Sequence, residues 1–338
     1  MTTPEHFALT EMHGKDPAAE ARLARLNEVL APVEANLTEG LVAPKRAMVF
    51  VVGPPRGGTT LMSQILAVSG GYSYVSNVAA RFWRAPSLGV TIDRALQTSP
   101  PALSFASRRG ATSGAAEPHE FGYFWSRWFD LGGETHWLDE DARARVDLAE
   151  LRRALAGMER AAERPMVFKN NTWLTFQADW FARALPNALI VACFRDPAAI
   201  ARSLLRQRLE LYGDPARWWS VRPRAYAALS RLEPLDQIAG QAVECLRDMQ
   251  DALSRVPTER LLRVGYGALC ADPRGILNEI AAACAGLGTP IDLAGSASRI
   301  PAAFTPTDPL APPTSVEQVL TDCVRRRLSQ APLGDMPL

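Results

Sequence analysis

The fold of this chain follows from one stretch, Met48-Val-Phe-Val-Val-Gly-Pro-Pro-Arg-Gly-Gly-Thr-Thr-Leu-Met62. An apolar, β-branched run ends in a Gly/Pro turn, and a segment compatible with a helix follows at once. This order predicts a strand, a loop that cradles a phosphate, and a helix N-terminus whose amide hydrogens favour an anion. The alternative is an ordinary turn between a strand and a helix that binds nothing.

The loop departs from the pattern of nucleotide hydrolases at one position. The spacing from Gly53 to Gly58 fits the phosphate-loop template, which next requires Lys and then Ser or Thr, whereas Thr59 and Thr60 follow here. In kinases and nucleotide hydrolases that lysine reaches the β- and γ-phosphates, and the following hydroxyl holds magnesium. This loop is therefore poorly suited to a metal-bound triphosphate, but its amides, its two hydroxyls and Arg56 could hold one anionic group.

A second motif lies far along the chain. The continuous apolar run at 188–194 is typical of a strand that is buried on both faces, and it ends in Arg195-Asp196-Pro197. Asp196 can cap a following helix and Pro197 suits its first turn, so Ser203 falls about two turns into that helix. Arg195 is then at the carboxyl end of a strand, where open α/β sheets bind ligands. The alternative is a surface ion pair and a solvated serine.

The two motifs together resemble the cofactor-binding elements of sulfotransferases that use 3′-phosphoadenosine 5′-phosphosulfate (PAPS). Pro55-Arg56-Gly57-Gly58-Thr59-Thr60 resembles the 5′-phosphosulfate loop of that family. Arg195, followed by Asp-Pro and by Ser203, matches the family's arginine and serine that hold the 3′-phosphate. The resemblance covers roughly residues 48–287. It implies that the 5′-phosphosulfate is held by Arg56, Gly57, Gly58, Thr59 and Thr60.

The resemblance also implies a reaction. A sulfuryl group would pass from PAPS to a hydroxyl of a small-molecule acceptor, with release of 3′-phosphoadenosine 5′-phosphate (PAP) and without a metal. Arg56 would stabilise the charge that grows on the leaving phosphate, and Lys169 would neutralise sulfate or phosphate oxygens. The acceptor hydroxyl needs a base whose pKa can be tuned towards neutrality, and His119, Glu120 and His136 are the candidates. His119 is preferred and Glu120 is second, although His119 and Lys169 could equally be bystanders.

Two other functions are compatible with a loop of this kind. The first is a kinase or nucleotide hydrolase, which the missing Gly-Lys-Ser/Thr element disfavours. The second is a nucleotide-binding relative without catalytic activity, which the presence of Arg56, Arg195 and Ser203 disfavours.

An aromatic segment lies between the two motifs. Its density beside a Pro/Ser-rich loop at 99–101 and 104–118 predicts an apolar acceptor site under a mobile lid, although such residues more often belong to a core. The aromatic residues of this segment are Phe121, Tyr123, Phe124, Trp125 and Trp128.

The composition places limits on location and partners. A chain of 338 residues with 47% apolar residues can bury a sizeable core, and a net charge of +1 gives no reason to expect a nucleic-acid or anionic-membrane surface. Five cysteines without a Cys-x-x-Cys pair predict a reducing compartment and no zinc site. Because neither a signal core nor a membrane span is evident, we expect a cytoplasmic enzyme with no membrane or nucleic-acid partner. A homodimer is left open.

Strands that alternate with helices predict an α/β fold. We expect a doubly wound parallel sheet with helices on both faces and an irregular, aromatic-rich insertion. The chain divides into an N-terminal helical extension at 1–43, the α/β domain at 44–300, and a Pro-rich then helical tail at 301–338 that packs on the domain. Residues 139–163 are predicted to form one helix. A further helix begins at Asp16-Pro17 and is predicted to pack on the domain, with its apolar residues at helical spacing: Leu23, Leu26, Leu30, Val33 and Leu37.

Overall fold

A central sheet organises the chain in the computed structural model, which describes residues 16–97, 103–106, 112–307 and 314–337. Several sequence-based predictions lie outside these residues. They concern the first fifteen residues of the extension, the loop at 99–101, part of the loop at 104–118, and the middle of the Pro-rich tail.

The sheet has five strands in the part of the chain that the structure describes, and all of them are parallel. Their order is β2-β3-β1-β4-β5, so the predicted doubly wound parallel sheet is confirmed. Because the strands are parallel, their carboxyl ends meet at one edge. The strands are β1 (Met48–Val52), β2 (Ser73–Tyr74), β3 (Met166–Lys169), β4 (Ala188–Phe194) and β5 (Leu261–Gly265).

Helices follow the strands and fill the connections between them. The described helices are α1 (Pro17–Leu37), α2 (Thr59–Val68), α3 (Pro86–Leu96), α4 (Gly122–Trp125), α5 (Glu140–Ala144), α6 (Leu148–Ala162), α7 (Ala178–Ala184), α8 (Pro197–Tyr212), α9 (Tyr226–Leu229), α10 (Pro234–Leu253), α11 (Tyr266–Ala271), α12 (Pro273–Gly286), α13 (Ser296–Arg299) and α14 (Ser315–Gln330).

The helices cover both faces of the sheet, as alternate residues of β1 demonstrate. Met48, Phe50 and Val52 belong to a core shared with α6, α7 and α10. Val49 and Val51 belong to a separate core shared with α2 and α12. Every residue of β1 is fully buried, which explains why its sequence is a continuous apolar run and not an alternating one.

The two motif-bearing connections lie side by side because β1 pairs with β4. Val51 is in register with Val191, so the loop after β1 and the segment after β4 leave the sheet together. The predicted cap is confirmed, since the Asp196 carboxylate accepts the Ala199 amide at 2.8 Å at the start of α8. This hydrogen bond satisfies one of the free amides in the first turn of α8. Because Arg195 directly precedes the capping residue, it is fixed at the end of β4.

The predicted single helix at 139–163 is wrong, because two shorter helices occupy this stretch. Asp139 caps α5 by accepting the Ala142 amide at 2.7 Å, and Asp147 caps α6 by accepting the Glu150 amide at 2.9 Å. An aspartate satisfies the free amides of a new helix better than it continues an old one. The cap at Asp147 therefore starts a new helix, α6, and separates it from α5.

The N-terminal helix α1 packs on the rest of the chain through polar side chains. Asn27 donates to the Arg81 carbonyl at 2.8 Å, and the Glu34 carboxylate accepts the Ser87 amide at 3.1 Å. The inward face carries these hydrogen-bonded groups, and three of the five apolar residues at helical spacing are exposed. These three are Leu26, Val33 and Leu37, and Val29 on the same helix is exposed as well.

The aromatic segment belongs largely to the core, so its prediction as an acceptor-site wall is wrong for the buried rings. Trp125 is fully buried, and its ring centroid lies 5.5 Å from that of Phe168 and 5.6 Å from that of Phe181. Burying such large apolar areas against the sheet is a strong stabilising term. The fully or nearly fully buried members of the segment are Phe121, Phe124, Trp125 and Trp128.

Candidate functional site

The loop after β1 has the geometry of an anion cradle. The Gly57 amide donates to the Pro54 carbonyl at 3.0 Å, which closes a tight turn. Gly58 follows with a left-handed φ of 95°, and a Cβ atom there would lie 2.6 Å from the Tyr266 ring. Because α2 begins at Thr59, the amides of its first turn have no partner within the helix. Gly57 therefore shapes the turn, and an anion would be met by the amides that follow it.

Arg56 adopts a strained backbone and reaches across the site. Its φ is 67°, in the left-handed region that a non-glycine residue seldom adopts and that functional sites often contain. Its Nε donates to the Ser203 hydroxyl at 2.8 Å. Burial and, next, the positive charge of Arg195 lower the pKa of Arg56 from its ordinary value, but a guanidinium remains charged. A bound anion would therefore offset both the burial of the Arg56 guanidinium and its repulsion by Arg195.

Arg195 completes the contact between the two motifs. Its Nη1 donates to the Arg56 carbonyl at 3.1 Å and its Nη2 donates to the Thr307 hydroxyl at 3.3 Å. The guanidinium carbon lies 4.3 Å from the centroid of the Tyr266 ring, a cation–π contact. No carboxylate of the described residues forms an ion pair with Arg56 or Arg195. The charge of both arginines is therefore available to a ligand.

Two residues of this cluster were not assigned a role from the sequence. Tyr266 packs on Gly58 and on Arg195, and its hydroxyl lies 3.1 Å from the Thr307 hydroxyl. Tyr266 directly follows β5, so its position at the carboxyl edge was a usable signal. Thr307 carries no comparable signal, because it lies in an irregular stretch far from Arg195 in sequence.

Lys169 and Glu120 form an ion pair at the end of β3. The ammonium group is nearly buried, whereas 43% of the Glu120 side chain is exposed. The Glu120 carbonyl accepts the Asn170 side-chain amide at 3.0 Å, and Phe121 has a left-handed φ of 54°. A buried lysine thus holds a carboxylate that still faces solvent, beside a strained backbone.

His119 presents no free basic nitrogen in this arrangement. Its Nδ1 accepts the Phe121 amide at 2.8 Å. Because an amide can only donate, Nδ1 is unprotonated and the neutral imidazole carries its hydrogen on Nε2. His119 lies next to Glu120 but is oriented as a hydrogen-bond donor.

His136 joins two loops, and its hydrogen bonds within the described residues go to Arg222 and Gln177. Its amide donates to the Arg222 carbonyl at 2.9 Å, and its Nδ1 accepts the Arg222 amide at 3.2 Å. Burial and the Arg222 charge lower the pKa of His136 to about 3. The imidazole is therefore neutral at ordinary pH and serves the packing of these loops.

Asn171 links the end of β3 to the loop after β1. The Thr59 hydroxyl donates to Asn171 Oδ1 at 3.1 Å, and Asn171 Nδ2 donates to the Pro54 carbonyl at 3.3 Å. Its signal in the sequence is a polar run, Lys169-Asn170-Asn171, directly after a buried strand.

Of the helices described, none combines enough length with enough apolar character to cross a bilayer. The described residues also bring together no group of three or more His, Cys, Asp or Glu side chains that could hold a metal ion.

This chain matches a protein-family model and several solved structures. A family model described as the sulfotransferase family matches residues 48–290. A sulfotransferase structure from Mycobacterium tuberculosis H37Rv matches with a TM-score of 0.49 and 17% identity, over 89% of this chain and 81% of that one. One from Mycobacterium avium has a TM-score of 0.46 and 16% identity, over 87% and 70%. One from Alicyclobacillus acidocaldarius has a TM-score of 0.40 and 16% identity, over 84% and 94%. No curated protein sequence matches significantly.

Proposed function

Since this chain belongs to the sulfotransferase family, we propose that it moves a sulfuryl group from PAPS to a hydroxyl of a small-molecule acceptor and releases PAP. One observation carries the proposal. Arg56, Ser203 and Arg195 come from two distant segments and meet within hydrogen-bond distance at the carboxyl edge of the sheet. A ligand with phosphate groups at both ends of a nucleoside would span these two segments.

The 5′ end of the donor would occupy the cradle at the start of α2. Gly58, Thr59 and Thr60 would hold its phosphate oxygens, with support from the positive end of the helix. Gly57 would contribute the turn and not an amide hydrogen, because its amide already binds the Pro54 carbonyl.

The 3′-phosphate would be held by Arg195 and Ser203. Both side chains are nearly buried, and Arg195 has no carboxylate partner among the described residues. A dianion at this place would gain charge-assisted hydrogen bonds from the guanidinium and from the hydroxyl.

Arg56 would act on the bond that breaks. As the S–O bond to the phosphate lengthens, negative charge grows on the bridging oxygen, and a new S–O bond forms to the acceptor. A fixed cation near that oxygen lowers the barrier without giving up a proton. Arg56 would exchange its contact with the Ser203 hydroxyl for the leaving phosphate.

Glu120 is our choice of general base, ahead of His119. Its carboxylate is partly exposed and held by Lys169, whereas the Nδ1 lone pair of His119 is occupied by a backbone amide. Glu120 would take the acceptor hydroxyl's proton as the new bond forms. Lys169 would then neutralise oxygens of the transferred group. A small-molecule acceptor, a cytoplasmic location and a homodimer stay predictions.

The test is product formation. The protein is incubated with PAPS and a panel of phenols and alcohols, and PAP and the sulfated product are measured by chromatography. We expect PAP to appear together with one sulfated acceptor, and Arg56→Ala to lower that rate. PAPS left intact across a broad panel, by a folded protein that also fails to bind PAP, would contradict the proposal.

A further inference from the structure

The hydroxyl of Thr59 has only one hydrogen, and the structure commits it to a protein atom. Thr59 Oγ1 donates to Asn171 Oδ1 at 3.1 Å. A hydroxyl can donate once, and a phosphate group at neutral pH can only accept hydrogen bonds from it. While this bond persists, the Thr59 hydroxyl cannot also donate to a ligand phosphate.

The orientation of the Asn171 amide follows from its second partner. The Pro54 carbonyl, 3.3 Å from Asn171 Nδ2, has no hydrogen to give and must face the NH2 group. Reversing the amide would put two acceptor oxygens together and lose the bond. Asn171 Oδ1 is therefore the atom that faces Thr59.

Thr59 is held from its other side as well. A Cβ atom on Gly53 would lie 2.6 Å from the Thr59 Cγ2 methyl, so that methyl occupies the space which the glycine leaves. The side chain is nearly fully buried. With its methyl against Gly53 and its hydroxyl on Asn171, Thr59 has one rotamer available.

We propose that Asn171 is a positioning residue of the phosphate loop. It accepts a hydrogen bond from the Thr59 hydroxyl and donates one to the Pro54 carbonyl. The ligand phosphate then accepts a hydrogen bond from the amide of Thr59 and not from its hydroxyl. This differs from the sequence-based expectation that both threonine hydroxyls bind phosphate. The inference rests on the proposed function, since the ligand is taken to be PAP or PAPS.

The experiment measures PAP affinity by calorimetry for four variants and one matched control variant. Asn171→Ala removes both bonds of the amide and should weaken PAP binding roughly 3- to 10-fold, as expected for neutral hydrogen bonds. Asn171→Asp is isosteric and keeps an acceptor for Thr59, but it places a negative charge beside the bound phosphate. It should weaken binding further, by at least ~10-fold, because like charges repel. That excess loss should shrink as salt is raised.

Thr59→Val and the double variant with Asn171→Ala test whether the two residues act as a unit. We expect Thr59→Val to weaken PAP binding no more than Asn171→Ala does. The PAP affinity of the double variant should be no lower than that of the single variant with the lower affinity. A direct hydroxyl–phosphate bond predicts the opposite, namely a large loss for Thr59→Val and a small one for Asn171→Ala.

The matched control is Asn187→Asp. Asn187 Nδ2 donates to the Pro44 carbonyl at 3.2 Å, the same kind of bond, but it lies beside the amino end of β4. It should leave PAP affinity near the wild-type value. If Asn171→Ala does not fold, the comparison of Asn171→Asp with Asn187→Asp decides. Equal PAP affinities for these two variants would overturn this inference but not the proposed function. Absence of PAP binding by the wild-type protein would overturn the proposed function.

Discussion

Arg56 combines two costs that a structural role does not explain. Its backbone is left-handed, at a cost of about 1–3 kcal/mol, and its guanidinium is largely buried without a carboxylate partner among the described residues. Such costs are typical of a residue that is kept for a ligand.

Replacement of this side chain therefore has a specific expected effect. Arg56→Ala should lower the rate of sulfuryl transfer by about 10²–10³, as the loss of one donor to a developing charge does elsewhere. PAP affinity should fall less, because Arg195 and the loop amides remain. Steady-state rates and PAP calorimetry measure the two effects. Arg56→Lys is the control that keeps the charge and should recover part of the rate. Wild-type turnover by Arg56→Ala would remove Arg56 from the mechanism.

Glu120 and His119 are adjacent, and their variants distinguish the two candidate bases. Glu120→Gln should lower kcat by about 10²–10⁴, the usual contribution of a general base, with little change in PAP affinity. His119→Ala should stay much closer to the wild-type rate, because its Nδ1 lone pair already binds the Phe121 amide. The reverse ranking of the two variants would make His119 the base.

At the level of elements, the N-terminal helix depends on a few buried polar contacts. Glu34 on α1 accepts the Ser87 amide and hydroxyl at the start of α3, and thus acts as a cap supplied by another helix. Glu34→Ala should lower the free energy of unfolding by about 0.5–2 kcal/mol, the range of a lost cap. Leu26→Ala on the exposed face of the same helix is the control, expected within about 0.5 kcal/mol of wild type. Denaturant titration measures both. Equal losses would mean that the apolar face, and not Glu34, attaches α1.

The loop pair joined by His136 should respond to pH. The pKa of His136 is about 3 in the folded chain, whereas its ordinary value is 6.5, so protonation of His136 favours unfolding. The stability that this neutral imidazole provides is complete above pH 6.5 and is lost as pH falls towards 3. The wild-type protein should therefore lose stability faster than His136→Gln between about pH 7 and 5, by up to ~1.4 kcal/mol per pH unit. Parallel curves for the two proteins would contradict this assignment.

Sequence patterns predicted the elements that are buried on both faces or marked by caps. The continuous apolar run of β4 predicts the observed bounds of the strand, and Asp196 marks the start of α8. The stretch at 139–163 was misassigned because helical periodicity does not register an internal cap such as Asp147. The aromatic segment was misassigned because sequence alone does not separate a ligand wall from a core.

The candidate site was predictable to the extent that its residues follow strands. Arg56 and Arg195 stand at the carboxyl ends of β1 and β4, and strand pairing brings them together. Thr307 was not predictable, because its contact with Arg195 depends on how an irregular stretch returns to the sheet. The contact of Asn171 with the loop after β1 was not predictable either, because it depends on β3 lying beside β1.

For the whole molecule, the proposed ligand should stabilise the fold in a way that a nucleoside triphosphate does not. PAP at 100 times its Kd adds about 2.7 kcal/mol to the free energy of unfolding. A thermal-shift assay should therefore report a rise of several degrees with PAP, and little change with ATP and magnesium. The loop lacks the lysine that would hold a triphosphate. A larger shift with ATP and magnesium than with PAP would favour a kinase or hydrolase.

The most direct test of the account is PAP calorimetry on the wild-type protein and on Arg195→Ala. The account predicts one saturable site in the wild-type protein and a loss of affinity of at least ~10-fold in the variant, since Arg195 would hold the 3′-phosphate through charge-assisted bonds. Absence of PAP binding, or equal affinity in the two proteins, would contradict a nucleotide site built from the segments after β1 and β4.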